Sequence, residues 1–535
     1  MDAILNMFDY DIGDLPMVDG RGKRLSRIGR QQRNRPVKRG KIYTSGFADD
    51  TCLYIAGRNL VEMQQKLQIV MDFAAQWAAE ATMGFSHKKT KVIIFTKKRR
   101  YDLPPKIKLN GIEMKYSQQV LYLGLWLDHK FTWKYHVSEK IKSGKKLLMA
   151  LVTTNGKRWG LSPWSARYYY NTMVKSSFCY LSFIWHQVCR LIHIQTKLKS
   201  FQRMAMKVMG PMWRGTPTRG LEIICNIRPL ELELRKIAAE QYIRTAQFHI
   251  IDSKIMTTKI ESRKGHRQWS EDFLKLIGSE LTKDLKTDRI PVKYNWQKTY
   301  TINEASMSST DPQVRGQVQH NLDAIKIFTD GSQNPQESLT CGSGLYVQHA
   351  GEEGYAFNIG NRTVFMAEVY AIKESARWII KHTSELKDKT VCIYVDSQSA
   401  IRGLQKIAIT SQLLWETQII LNNAAKRAKA LTIRWVKAHA NSNGNIKADT
   451  LANEGRTKPD LVKKPPAMAW SQVRGEISSK TNAYWNWAWQ QEPTCRQTKQ
   501  WLPQVNPGKS HKIMQLPKVK WGKVVQFITG HNSLN

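Results

Sequence analysis

Five stretches with strand patterning and four with helical spacing lie between Leu322 and Gly455, in a fixed order. Ile325–Thr329 alternates apolar and polar residues, and CGSGLYVQH and GYAFNIG follow as two further strands joined by the turn-rich AGEEG. Thr363–His382 is amphipathic at helical spacing, and Thr390–Val395 is apolar almost throughout, as an inner strand is. A helix from Ser397, a second from Ser411 to Lys429, a strand at Leu431–Val436, a loop and a final helix complete the set. The order β-β-β-α-β-α-α-β-α in about 135 residues predicts a single α/β domain.

Acids sit at the joints of that pattern. Asp330 follows the first alternating run, Glu368 falls early in a helix, and Asp396 follows the inner strand. His439 lies in a Gly- and Asn-rich loop, and Asp449 enters the last helix. Strand ends and helix starts are where an α/β sheet gathers functional side chains, at its carboxyl edge. Four carboxylates meeting there repel one another unless cations hold them together. An all-oxygen donor set suits Mg²⁺ or Mn²⁺ rather than zinc, which points to two-metal phosphodiester hydrolysis.

Charge narrows the partner. The chain has 83 Lys and Arg against 43 Asp and Glu, a formal +40 spread along 535 residues. Solubility does not need one sign in such excess, so a polyanion is expected, and nucleic acid fits better than a membrane. No apolar run reaches the roughly 18 residues of a spanning helix; the longest candidate lies near Ser176–Trp185. The N-terminus has no signal-peptide core. Seven scattered cysteines without a C-x-x-C pair argue against a disulfide frame or a zinc site and for a reducing compartment. We expect a nuclear or cytoplasmic, non-secreted protein that needs no small-molecule cofactor.

The rest of the chain divides by composition. Residues 1–40 read as a flexible basic arm, with aspartates followed by the acid-free RGKRLSRIGRQQRNRPVKRGK. Residues 41–137 are patterned: two short strands around a turn with Asp49 and Asp50, then a helix over Asn59–Ala81. A strand at Val92–Thr96, an Asn-Gly hairpin in KIKLNGIEM and the alternating QVLYLGLWLD follow. Residues 138–250 read as helices separated by Gly and Pro turns, with basic residues and aromatics interleaved around Trp159–Tyr170. Residues 251–321 are polar and read as a linker; 459–535 form a basic, aromatic extension.

FADDT, the helix bearing Trp77, GFSHKKT and YLGLWLDHKFTW, in that order, resemble the later palm motifs of reverse transcriptases of non-LTR retrotransposons. The resemblance makes Asp49 and Asp50 counterparts of metal ligands, places Lys89 near the incoming nucleotide, and makes residues 138–250 a thumb and connection. Such polymerases also need an aspartate from an earlier palm strand, and no such motif stands in the 48 residues before Asp49. The polymerase part therefore reads as a truncated vestige, without expected polymerase activity.

TDGS, AEVYAI, VDSQSAI and HANSNGNIKADTLA, again in order, resemble the type 1 RNase H domain found downstream of reverse transcriptase in some of these elements. The resemblance implies an RNase H-like mixed sheet with flanking helices over residues 322–458. It makes Asp330, Glu368, Asp396 and Asp449 ligands of two Mg²⁺, with Mn²⁺ as a substitute, and gives His439 a part in proton movement or product departure. The implied reaction cuts the RNA strand of an RNA/DNA hybrid, leaving a 3′-hydroxyl and a 5′-phosphate. Gly331, Ser332, Gln333 and Gln398 become candidate contacts to 2′-hydroxyls or phosphates, and other duplex nucleic acid is a further expected partner. The family often has a glutamate directly after the Gly-Asn pair, where this chain has Ile446, so weakened support of the metals and reduced activity are expected. The chain stops before the Cys/His-rich end of such elements, and both its ends read as cut. The alternative is an inactive, nucleic-acid-binding remnant.

Overall fold

The computed structural model describes residues 42–531, except 48, 97, 154–155, 157–158, 249–271, 280, 282–284, 312–313, 319–323, 335, 337–339, 350 and 439–441. The basic arm and His439 lie outside the described residues. The chain forms two compact units, one from residues 1–280 with 479–535, the other from residues 281–478.

The second unit is built on a six-stranded sheet. Its order is Glu352–Gly360, Cys341–Gln348, Ile325–Gln333, Thr390–Val395, Ala430–Trp435 and Thr301–Asn303. The first three strands form an antiparallel meander, and the last four run parallel to one another. Mixed pairing follows from the connections: short turns permit antiparallel neighbours, whereas each parallel step needs a helical crossover. Alternation along the strands supplies two apolar faces. Ile325, Ile327, Ile393, Val395 and Ile433 pack with Val369, Ile372, Ala376 and Ile379 of the helix Val364–Lys381. Phe328, Tyr346, Cys392, Tyr394 and Val436 point the other way and meet Ala448 of the helix Asn443–Thr457. Burial of each large apolar side chain stabilises the unit by roughly 1.5–3 kcal/mol, so both layers are firmly held.

The helix Asn443–Thr457 approaches the meander closely because the facing positions are small. A Cβ at Gly342 would collide with the Ala452 carbonyl oxygen, and one at Gly344 with the Ala448 oxygen and, at 2.5 Å, the Ala452 nitrogen. A Cβ at Gly455 would lie 2.6 Å from the Phe357 oxygen.

Two segments depart from the sequence reading. The stretch expected to be a linker contributes Thr301–Asn303 to the sheet, paired in parallel with Thr432–Arg434. It also contributes Arg289–Tyr294, which pairs with an unexpected strand at Ala408–Ser411. Short polar segments carry too little alternation to register as strands, yet ladder hydrogen bonds hold them.

In the first unit, Ile42–Phe47 and Asp50–Ile55 form an antiparallel hairpin, and Asn59 caps the helix Leu60–Glu80 through the Val61 amide at 3.0 Å. Lys108–Leu109 and Ile112–Glu113 flank Asn110 and Gly111, both at positive φ as a two-residue hairpin turn of this type requires. Val92–Thr96 is no strand: it forms a single bridge from Val92 to Tyr116, and the Thr96 amide bonds the His129 carbonyl. The remainder is helical, including Lys134–Thr153, Ile192–Val208 and Leu230–Phe248. Ser162 caps the helix Pro163–Tyr169, with proline at its first turn. The C-terminal segment contributes helices to this unit, and Trp521 is fully buried.

Candidate active site

Thr329 and Val395 are register partners on adjacent parallel strands. Asp330 and Asp396 stand one residue beyond that pair, so both carboxylates emerge side by side at the carboxyl edge. Two anchors fix the backbones: the Trp435 indole donates to the Asp396 carbonyl at 2.8 Å, and Thr329 Oγ1 donates to the Tyr394 carbonyl at 3.3 Å.

Glu368 arrives from the helix capped by Thr363. Ser343 Oγ donates to the Ala367 carbonyl at 2.8 Å, tying the helix start to the meander. Gly331 makes the approach possible, since a Cβ there would lie 2.6 Å from the Glu368 nitrogen and 2.9 Å from Ala367 Cβ. Its own amide donates to Asp330 Oδ1 at 2.7 Å.

The outcome is that Asp330, Glu368 and Asp396 each offer an oxygen, all within 4.8 Å of one another. Asp330 and Glu368 are buried and Asp396 half-buried. Among the described residues this is the only such gathering of three or more His, Cys, Asp or Glu. Asp449 stands outside that trio but beside Asp330, whose protonated form it stabilises through a hydrogen bond and its charge. Sequence reasoning missed Asn453, whose amide donates to Asp449 Oδ1 at 3.2 Å while its oxygen accepts from Ser332 Oγ at 2.6 Å. The signal was there: Asn453 is one helical turn beyond Asp449.

Electrostatics follow from crowding. Burial first, then the Asp396 charge and Asp449, push the Asp330 carboxyl up to about 8, against the opposing pull of the Gly331 amide. Burial, followed by the charges of Asp396 and Asp330, raises Glu368 well above the carboxylate range. Glu368 Oε2 is buried with no hydrogen-bond partner among the described residues. A buried carboxylate oxygen without a donor is costly, and a divalent cation is the group that these three side chains fit.

The other sequence candidates separate. Gly331, Ser332, Gln333 and Gln398 are half-buried around the trio's strand end and the following helix start, with Gln398 Oε1 accepting from Arg402 at 3.2 Å. Ile446 is 52% exposed on the last helix. Asp49 occupies the tip of the first unit's hairpin and Asp50 begins its second strand; both are exposed, as is Lys89. Among the described residues no third acid gathers with Asp49 and Asp50.

Residues 323–457 match the family model for RNase H. They form an RNase H domain. Two solved RNase H1 structures cover 25% of this chain and 96% of their own: that of Halobacterium salinarum NRC-1, at 19% identity and a TM-score of 0.21, and LC11-RNase H1 in complex with RNA/DNA hybrid, at 21% and 0.21. The chain is also similar to Pol polyproteins of the retrotransposable element R1, 21% identical over 192 residues in Bradysia coprophila and 20% over 227 in Nasonia vitripennis. Similarity to the RNA-directed DNA polymerase from mobile element jockey of Drosophila funebris is 23% over 206 residues. These matches span 36%, 40% and 38% of this chain and 19%, 64% and 22% of the relatives. The RNase H domain thus sits in a chain related to retrotransposon Pol proteins.

Proposed function

We propose that this protein is a divalent-metal-dependent endoribonuclease that hydrolyses the RNA strand of RNA/DNA hybrids. The carrying observation is the trio of Asp330, Glu368 and Asp396 within 4.8 Å, with a buried, donorless Glu368 oxygen. Mg²⁺, or Mn²⁺ in its place, fits this donor set; when bound it activates water for attack on phosphorus and stabilises the leaving 3′-oxygen. Asp330, Glu368 and Asp396 hold the metal side of the site, and Asp449 adds charge beside Asp330. Asn453 orients Asp449, and Ser332 orients Asn453. The half-buried Gly331, Gln333 and Gln398 line the approach for 2′-hydroxyls and phosphates, a recognition that ignores base sequence. His439 takes part in proton movement or product departure. The excess of 83 basic over 43 acidic residues supports a nucleic-acid partner through phosphate neutralisation.

Cleavage of a labelled hybrid in Mg²⁺ tests the reading. The parent chain is expected to cut the RNA strand, EDTA to stop it, and Asp396→Asn to lower the rate by about 100-fold or more. Equal cutting by parent and variant removes the assignment. On an RNA template with a DNA primer, no elongation is expected.

A further inference from the structure

The strand Arg289–Tyr294 pairs with Ala408–Ser411 in a two-stranded ladder. Val292, Tyr294 and Trp296 fall at alternate positions and are 50%, 57% and 75% exposed. Alternate residues of an extended segment share a face, so these three form one apolar stripe open to solvent. The Tyr294 and Trp296 rings are near parallel, 9° apart with centroids at 5.8 Å.

The backbone between the rings is firmly held. Asn295 is buried; its side-chain amide donates to Gln418 Oε1 at 2.9 Å and its backbone amide to the Ile407 carbonyl at 3.0 Å. Gln418 in turn donates to the Leu404 carbonyl at 2.8 Å. Exposed Lys406 lies beside the ladder, its carbonyl accepting from the Gln418 amide at 3.0 Å, whereas Lys293 turns to the other side of its strand, over the Trp415 ring at 5.0 Å. The nearby acids are engaged: Asp288 accepts from Ser411 Oγ and the Leu413 amide, Glu416 pairs with Lys373, and Glu304 accepts from Gln405.

Paired rings beside an exposed lysine match the requirements of single-stranded nucleic acid, whose bases are free to stack on aromatic faces while phosphates meet the ammonium group. A duplex keeps its bases stacked internally and gains little from such rings. The helix Gln398–Gln405 starts two residues after Asp396, ends beside the ladder, and spans about 12 Å. We propose that Val292, Tyr294 and Trp296, with Lys406, form a single-strand-binding platform on the RNase H unit. The platform holds unpaired nucleic acid next to the hybrid, and its binding does not depend on whether the site cuts.

The test uses the full chain carrying Asp396→Asn and measures fluorescence anisotropy of labelled oligo-dT and of a blunt hybrid of equal length. Salt of about 0.3 M weakens binding by phosphates alone. Tyr294→Ala with Trp296→Ala is expected to lower oligo-dT affinity by about tenfold or more while hybrid affinity stays within about twofold. Tyr294→Phe with Trp296→Phe is expected to retain oligo-dT binding. Unchanged oligo-dT affinity in the alanine pair overturns the proposal, as does equal loss on both ligands. Loss in the phenylalanine pair also overturns it, and this arm decides if the alanine pair melts earlier than the parent. Concentration-dependent self-association that the alanine pair abolishes, with oligo-dT binding intact, assigns the stripe to a second copy instead.

Discussion

A methyl group at position 331 has no room, because the Glu368 amide nitrogen already stands 2.6 Å from where its carbon would be. Gly331→Ala is expected to push the Glu368 helix away from the Asp330 strand and to destabilise the domain by about 2 kcal/mol, with hybrid cleavage falling at least about tenfold. Thermal melting and a Mg²⁺ titration of the cleavage rate check this. Asp330 makes the opposite kind of statement. Its carboxyl is raised from 3.8 to about 8, so across that window the folded chain keeps a proton that the unfolded chain has released. Stability in EDTA therefore falls as pH rises from about 4 to 8. Asp330→Asn is expected to raise the melting temperature of the metal-free chain at pH 8, by about 3 °C, and to leave it unchanged at pH 4. Equal effects at both pH values contradict the crowding argument. The acids were legible in the sequence because Asp330 and Asp396 follow readable strands while Glu368 and Asp449 fall in readable helices. Asn453 was legible only through its place one helical turn beyond Asp449, and Ser343 was not, since their work depends on which backbone or side-chain atoms lie opposite.

Between a helix and a sheet, absent side chains can matter as much as present ones. The helix Asn443–Thr457 carries Asp449, and its depth is set by Gly342, Gly344 and Gly455. Gly344→Ala is expected to lift that helix and destabilise the domain by about 3 kcal/mol, whereas Gly351→Ala, where a Cβ meets nothing within 4 Å, is expected to be nearly neutral. Chemical denaturation of the two variants side by side decides it. The five strands and four helices expected between Ile325 and Thr457 were readable from their periods and lie close to their observed bounds; the short strand Ala408–Ser411 and the one-turn helix Thr383–Leu386 were not read. Val92–Thr96 was misread because an apolar run shows only a willingness to pair, not the presence of a partner. Thr301–Asn303 escaped for the converse reason: three residues show no period, and the parallel partner is far away in sequence.

At the level of the whole chain, the unit from residue 281 to 478 is larger than the stretch that carries the motifs. A fragment of residues 281–478 is expected to melt cooperatively, and one of residues 322–458 to melt at least about 5 °C lower, because it lacks Thr301–Asn303 and the partner of Ala408–Ser411. Equal melting makes those additions ornaments. The upstream strand also sets a timetable for folding. Thr301 Oγ1 lies 2.9 Å from Thr432 Oγ1, and the two are separated by 131 residues of chain. At about 5–20 residues per second, the ribosome releases the earlier threonine roughly ten seconds before the later one. The border of the nascent sheet beyond Ala430–Trp435 is sealed by a segment already waiting, rather than by one still to be made.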